Sequence, residues 1–336
     1  MKRYLAGSLI AICMACSPQS EGLKESHFNG YAQGTTFHIS FLYDGEEPKN
    51  LEATLDSLFQ AVDLSMSTYR KNSLISKLNR GDSVMADIHL KRVHQKSIEV
   101  HSLSEGFFDP TVGKLVNYFG FGPKAKRNSN LKAIDSLMNY VGLEKLNFNG
   151  NYWQLKAGFI LDYNAIAQGY TVDLISDYLE TLGIRNYMVE VGGEVRCLGQ
   201  NIENQAWRIG VDKPVEEIDA QDRFQFILGM DSLALATSGN YRKFWVDSLS
   251  GERYAHTINP NTGVPARNRL LSASVLASTA MEADAFATAF MSMGLKKSIY
   301  FVEQNKAALE VYFIYGAEEG QWQIYQSPGF QSRILN

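Results

Sequence analysis

The spacing of apolar residues changes period part-way along the chain, and this limits the fold more than any other feature. Leu51, Leu55, Leu58, Phe59 and Val62 recur at helical spacing. Further helical stretches are expected over residues 88–104, stopping before Gly106, over 130–141, and from about 167 to 182 with Gly183 as the stop. From Tyr187 onward the pattern shortens to strands, expected at 187–191, 207–211, 224–228, 233–237, 244–247, 254–258 and 272–276. An alanine-rich helix at 279–293 and strands at 309–314 and 321–325 follow, and an early strand-like stretch covers 31–43. A run of helices followed by a run of strands predicts an α+β fold, with a mixed or antiparallel β-sheet core flanked by helices. No Pro- or Ser-rich linker interrupts residues 28–336, so they are read as one compact domain.

The first residues follow a different rule. Met1-Lys2-Arg3 is a short basic start, an apolar run occupies residues 4–15, and Cys16-Ser17-Pro18 comes next. That is the pattern of a signal peptide, too short to span a bilayer as a helix. Ala15 before Cys16 resembles the end of a bacterial lipobox, in which the cysteine is lipidated and becomes the mature N-terminus. The expected organisation is a signal peptide over 1–15, a lipidated tether over 16–27 and the domain over 28–336. Soluble secretion and an uncleaved anchor are the competing readings. After cleavage Cys197 is the one remaining thiol, which excludes an intrachain disulfide or a cysteine-based metal site and suits a small core residue. The net charge of −4 offers no electrostatic footprint for nucleic acid.

Common catalytic signatures are missing: there is no G-x-S-x-G elbow, no phosphate-binding P-loop and no H-E-x-x-H helix. What remains is a set of polar clusters punctuated by glycine. In Gly106-Phe107-Phe108-Asp109-Pro110-Thr111-Val112-Gly113, Asp109 is held extended before a proline. It could present its carboxylate and backbone to a ligand, or the segment could be a plain helix-to-loop turn. In Asp162-Tyr163-Asn164-Ala165-Ile166-Ala167-Gln168-Gly169 a strand hands over to a helix N-terminus, a place that favours anions such as a pyrophosphate. Val191-Gly192-Gly193-Glu194 lets backbone approach a ligand closely, or simply turns. His256, ahead of the turn Asn259-Pro260-Asn261-Thr262-Gly263, is the best general-base candidate. Asp284 and Thr288 stand four apart, so on a helix their oxygens share a face and could contribute two ligands to a hard cation such as Mg²⁺. A buried Asp–Thr hydrogen bond is the bland alternative.

Taken in order, these clusters resemble the FAD:protein FMN transferase (ApbE) family. The resemblance covers nearly all of residues 28–330. It rests on Met66-Ser67-Thr68-Tyr69-Arg70, then Phe108 to Gly113, Asp162 to Tyr170, His256 to Gly263 and Asp284 to Thr288, with 116–122 similar as well. It implies that Tyr69 lies against the flavin ring. It also implies that Gln33, Phe107, Phe108, Asp109, Asp162, Gln168 and Ile258 are FAD-binding positions. Ala165, through its backbone oxygen, and the side chains of Asp284 and Thr288 match metal ligands, and His256 matches the base that deprotonates the acceptor. Gln33 stands where a methionine is usual, Gln168 where a charged residue is frequent, and Asn259 where an aspartate is frequent.

The activity so implied is Mg²⁺-dependent transfer of FMN from FAD to a threonine hydroxyl of another protein, with AMP released and Mn²⁺ as an alternative ion. The domain over 28–336 would then be a flavin-transferase catalytic domain holding a flavin cleft. The resemblance suggests a subunit of a membrane redox complex as acceptor, which fits a lipoprotein facing the periplasm from the inner membrane. Two other readings stand beside it: a metal-dependent FAD pyrophosphatase giving FMN and AMP, and a non-catalytic FAD-binding lipoprotein.

Overall fold

The computed structural model describes residues 22–335 apart from 124–126, 129, 149, 214–222, 241–243, 247–252, 305–306 and 317–320. The expected signal peptide, Cys16 and the first half of the tether lie outside the described residues. So do Tyr241 and Asp247, at the edges of two expected features.

The fold begins with a hairpin of β1 (Lys24–Ala32) and β2 (Thr35–Tyr43). Its two-residue turn is Gln33–Gly34, with φ of 53° and 80°. Positive φ at both central positions matches the twist of the flanking strands. The strand thus starts at Lys24 rather than near Tyr31, and residues 24–27 belong to the sheet rather than to a tether. Six further strands complete the sheet: β3 (Asn186–Val191), β4 (Glu194–Leu198), β5 (Ala234–Gly239), β6 (Leu270–Ala277), β7 (Glu310–Gly316) and β8 (Trp322–Gln326). These eight strands lie side by side in chain order, and every neighbouring pair is antiparallel.

Helices leave this sheet at two places. The β2–β3 connection carries α1 (Leu51–Met66), α2 (Ile88–Leu103) and α3 (Ala167–Thr181), and the β6–β7 connection carries α4 (Ala280–Met293) and α5 (Leu295–Glu303). Side chains alternate across a strand. Ala273, Val275, Val311 and Phe313 therefore pack against Phe286 and Phe290 of α4. Leu276, Tyr312 and Ile314 face the other way, with Val195 and Cys197, onto a small sheet that includes Trp207–Asp212 and Phe224–Met230. The centre of the main sheet is covered on both faces, which explains its unbroken apolar strands. The sheet and its helices bear out the α+β expectation.

Several local readings needed correction. The helix expected over 130–141 is a 3-10 turn at Leu131–Ala133 and a short helix at Ile134–Met138. Val141 and Leu143 beyond it turn into the core instead. The strand expected over 254–258 is broken into Arg253–Ala255 and Ile258–Asn259. Between them the Thr257 hydroxyl donates to Asn240 Oδ1 at 2.9 Å. Neither β4 nor α5 was foreseen. Among the described residues no helix is long and apolar enough to cross a membrane.

Candidate active site

One end of the sheet gathers the polar clusters. Pairing of Ala32 with Thr35, Phe37 with Val191 and Val191 with Glu194 puts the turns Gln33–Gly34 and Gly192–Gly193 side by side. Val195 pairs with Leu235, so the last residues of β5 run past β4 toward the same end. The first turn of α3 lies over it: the Gln33 Nε2–H donates to Thr171 Oγ1 at 3.0 Å. A Cβ on Gly192 would stand 2.6 Å from Gln168 Nε2 and 2.9 Å from Thr35 Cγ2. Gly192 therefore serves close packing as well as a turn at φ 67°.

The second gathering is the crossing of α3 and α4. A Cβ on Gly169 would meet the Ala280 carbonyl oxygen at 2.3 Å, so the two helix starts touch backbone to backbone. The Gly169 N–H donates to Asp284 Oδ2 at 3.1 Å. Asp284 is 6% exposed, in a stretch of α4 where Ala283, Ala285 and Ala287 are also buried. Burial pushes its carboxyl well above the ordinary carboxylate range, and the charge of Asp173 adds to that. Its other oxygen has no hydrogen bond from any described residue. One turn on, Thr288 Oγ1 lies 3.2 Å from Ser238 Oγ at the overhanging end of β5. Ala165 stands two residues before α3, half-buried. A carboxylate, a hydroxyl and a carbonyl make an oxygen-only set that suits a hard divalent cation. Of the two side chains in it, Asp284 is the one with an oxygen left unbonded by the described residues.

Tyr69 and Asp162 meet beside this crossing. The Asp162 N–H donates to the Pro110 carbonyl at 2.8 Å and its Oδ1 accepts from the Asn164 N–H at 2.9 Å. Asn164 Nδ2 reaches Thr68 Oγ1 at 3.5 Å. Tyr69 is 67% exposed, with its ring open to a ligand. Partial burial and the nearby Asp162 charge both raise its hydroxyl. The segments around residues 69, 110, 162 and 284 thus converge.

The Asp109 segment joins them through its backbone more than through its side chain. Asp109 Oδ1 accepts from the Thr111 N–H at 2.7 Å and the Thr111 hydroxyl at 2.6 Å, while Oδ2 accepts from the Leu143 N–H at 3.0 Å. Thr111 Oγ1 in turn accepts from the Gly142 N–H at 2.8 Å. The carboxylate, for which the sequence leaves a ligand contact and a plain turn both open, is held by protein donors. Phe108 is core, and Phe107 is nearly buried under Lys297, whose Nζ lies 4.7 Å from its ring centre.

A cavity of about 320 Å³ opens beside Asp109, lined by His101, Glu105, Glu144 and Asn261 among others. Ligand atoms of His101, Asp109 and Glu144 lie within 4.8 Å of one another. The His101 Nδ1, however, bonds to the Phe108 carbonyl at 3.0 Å, leaving Nε2 toward the exposed Glu144. An imidazole and a carboxylate already holding three donors suit Mg²⁺ less well than the oxygen set at Asp284.

His256 packs edge-on against Phe121, ring centroids 6.4 Å apart. Its neighbour Thr257 is bonded to Asn240, two residues beyond the Ser238 that meets Thr288. Asn259 Nδ2 donates to the Ser292 carbonyl at 3.3 Å, tying the loop to the last turn of α4. The Ile258 side chain is buried with Leu115 and Phe119. This position can therefore offer a ligand its main chain only.

The profile of the ApbE family matches residues 33–313. The chain belongs to the ApbE family. It is 32% identical to the FAD:protein FMN transferase of Haemophilus influenzae over 336 residues, covering 95% of each chain. The protein of the same description from Vibrio cholerae is 34% identical and is covered to 98%, as is this chain. Among solved structures, the Vibrio cholerae flavin transferase ApbE superposes with a TM-score of 0.81 at 34% identity, covering 93% of this chain and 100% of that one. The apo flavinyl transferase ApbE of Pseudomonas stutzeri gives 0.82 at 27% identity, with 93% and 97% covered.

Ser238 belongs to the polar stretch 236–241 that precedes His256 in the sequence, but its pairing with Thr288, fifty residues on, is visible only in the fold. Asp173, on α3, is not singled out by any sequence pattern. Its burial at 6% exposure separates it from ordinary surface acids.

Proposed function

We propose that this chain transfers the FMN half of FAD onto a threonine hydroxyl of an acceptor protein, using a divalent cation held by Asp284, Thr288 and the Ala165 carbonyl. The observation that carries the cation site is Asp284: a buried carboxylate with a single hydrogen-bond donor among the described residues, beside the start of α3. When bound, the cation supplies positive charge to the pyrophosphate oxygens and eases departure of the leaving group. The start of α3 adds the favourable end of a helix dipole for the same phosphates. Tyr69, largely exposed, offers a ring for the flavin to lie against, with Asp162 beside it. His256 takes the proton from the acceptor hydroxyl. The threonine oxygen then bonds to the FMN-side phosphorus, the phosphorus–oxygen bond to the AMP side breaks, and AMP leaves with the bridging oxygen. The products are an FMN–threonine phosphoester and AMP.

Mg²⁺ is the proposed ion. The signal-peptide and lipobox pattern supports export and anchoring of the mature chain at Cys16, on the periplasmic side of the inner membrane. A flavin-carrying subunit of a membrane redox complex is the proposed acceptor. The test is mass spectrometry of an acceptor peptide after incubation with the protein, FAD and Mg²⁺. A gain of one FMN phosphoester on threonine is expected. Free FMN formed equally fast without acceptor identifies a pyrophosphatase, and FAD that survives intact identifies a storage protein.

A further inference from the structure

The crossing of α3 and α4 is held by a reciprocal pair of caps. Asp284 of α4 accepts the Gly169 N–H from the first turn of α3, which has no side-chain cap of its own. In the opposite direction Asp173 of α3 accepts the Ala280 N–H on Oδ1 and the Met281 N–H on Oδ2, both at 2.9 Å. All three are first-turn amides, which have no partner inside their own helix. Asp173 Oδ1 also pairs with Arg196 Nη1 at 3.2 Å, and the same guanidinium holds Asp177 and Glu180 at 3.0 Å.

We propose that Asp173 is a positioning residue for the cation site: by gripping the first amides of α4 it sets where Asp284 and Thr288 stand relative to Ala165. This inference rests on the assignment of Asp284 as a cation ligand. The geometry leaves Asp173 little freedom to act otherwise. Both its oxygens are committed to α4, and it sits one turn along α3 from Gly169, so the two helices are pinned at successive turns. With no Cβ at Gly169 the helix separation is fixed by backbone contact, and a slip of α4 would carry both side-chain ligands with it. Arg196 counters the Asp173 charge, so two buried carboxylates can face each other across the crossing. Thr279 offers a control, because its hydroxyl caps α4 locally, accepting from the Glu282 N–H at 3.3 Å within the same helix.

The test is Mn²⁺ binding to the full chain with FAD present, read by the electron paramagnetic resonance of free Mn²⁺, with melting temperature alongside. Asp173→Asn keeps the shape and one acceptor, and is expected to weaken Mn²⁺ about tenfold; Asp173→Ala is expected to weaken it up to about a hundredfold. Thr279→Ala is expected to lower the melting temperature while Mn²⁺ affinity stays within about twofold, since local cap loss acts on stability. If Asp173→Asn binds Mn²⁺ like the parent, or if Thr279→Ala loses as much affinity, Asp173 is a structural cap and the inference fails. Asp284→Ala separates the two levels. Loss of Mn²⁺ there, with retention in Asp173→Asn, overturns the positioning role alone. Retention in Asp284→Ala overturns the cation assignment beneath it.

Discussion

Asp109 and Asp284 are both about 6% exposed, yet their surroundings differ. Asp109 has a donor for nearly every direction: an amide and a hydroxyl from Thr111 and an amide from Leu143. Among the described residues Asp284 has one amide donor, from another helix, and its neighbours Ala283, Ala285 and Ala287 on α4 have no side-chain donor. Burying a carboxylate is costly unless hydrogen bonds or an opposite charge compensate. The donors to Asp109 offset part of its burial, which still raises its carboxyl, and they make it a strut for its loop. Asp284 is left short, and a cation is the natural remedy.

Substitution at Asp284 is the largest test of that contrast. Asp284→Ala should lower FMN transfer about a thousandfold or more, because a catalytic metal contributes several kcal/mol at about 1.4 kcal/mol per tenfold. Steady-state rates at saturating FAD check this, and near-parent activity would erase the distinction between the two acids.

His94 probes the same principle with a base. Its Nδ1 meets the Tyr163 hydroxyl at 2.8 Å, and burial lowers its pKa from 6.5 to about 4. The unfolded chain binds the extra proton between those values. The stability contributed is thus complete above pH 6.5 and is lost as pH falls toward 4, by about 3 kcal/mol in all. Urea melts across that window should show the slope in the parent and a flatter one in His94→Gln.

At the helix crossing, Gly169→Ala should cost about 2–3 kcal/mol by forcing backbone apart, and should weaken Mn²⁺ binding together with stability. The smallest effect is expected at the strut. Thr111→Val removes one of the two donors to Asp109 Oδ1, leaving the amide of residue 111, and strands the Gly142 amide; it should cost about 1–2 kcal/mol in thermal melts. Mn²⁺ affinity should be unchanged, and a change there would show that the two acids are not independent.

Sequence periodicity located the long helices well, because Leu51, Leu55, Phe59 and Val62 form a true buried stripe of α1. It missed β4, where Glu194 and Arg196 alternate with Val195 and Cys197 and break the apolar run. Arg196 is there to serve Asp173 on α3, a demand invisible from its neighbours in sequence. The Asp284–Thr288 pair was legible because its spacing is local. Its long-range partners Gly169 and Ser238 were not, since close approach of two helices leaves no periodic mark. The two readings of the Asp109 segment stay open in the sequence for a related reason: a polar cluster looks the same whether its donors come from a ligand or from residues 142 and 143.

The sequential order of strands also bears on how the chain is made. After β2 the chain wanders through residues 44–185 before β3 returns to lie beside it. Until then the N-terminal hairpin is a two-stranded ribbon, barely stable in water. A nascent chain halted before residue 186 therefore holds Tyr69, Asp162 and Ala165 without a scaffold to sit on. Asp284 arrives later still, so catalytic competence is among the last properties to emerge.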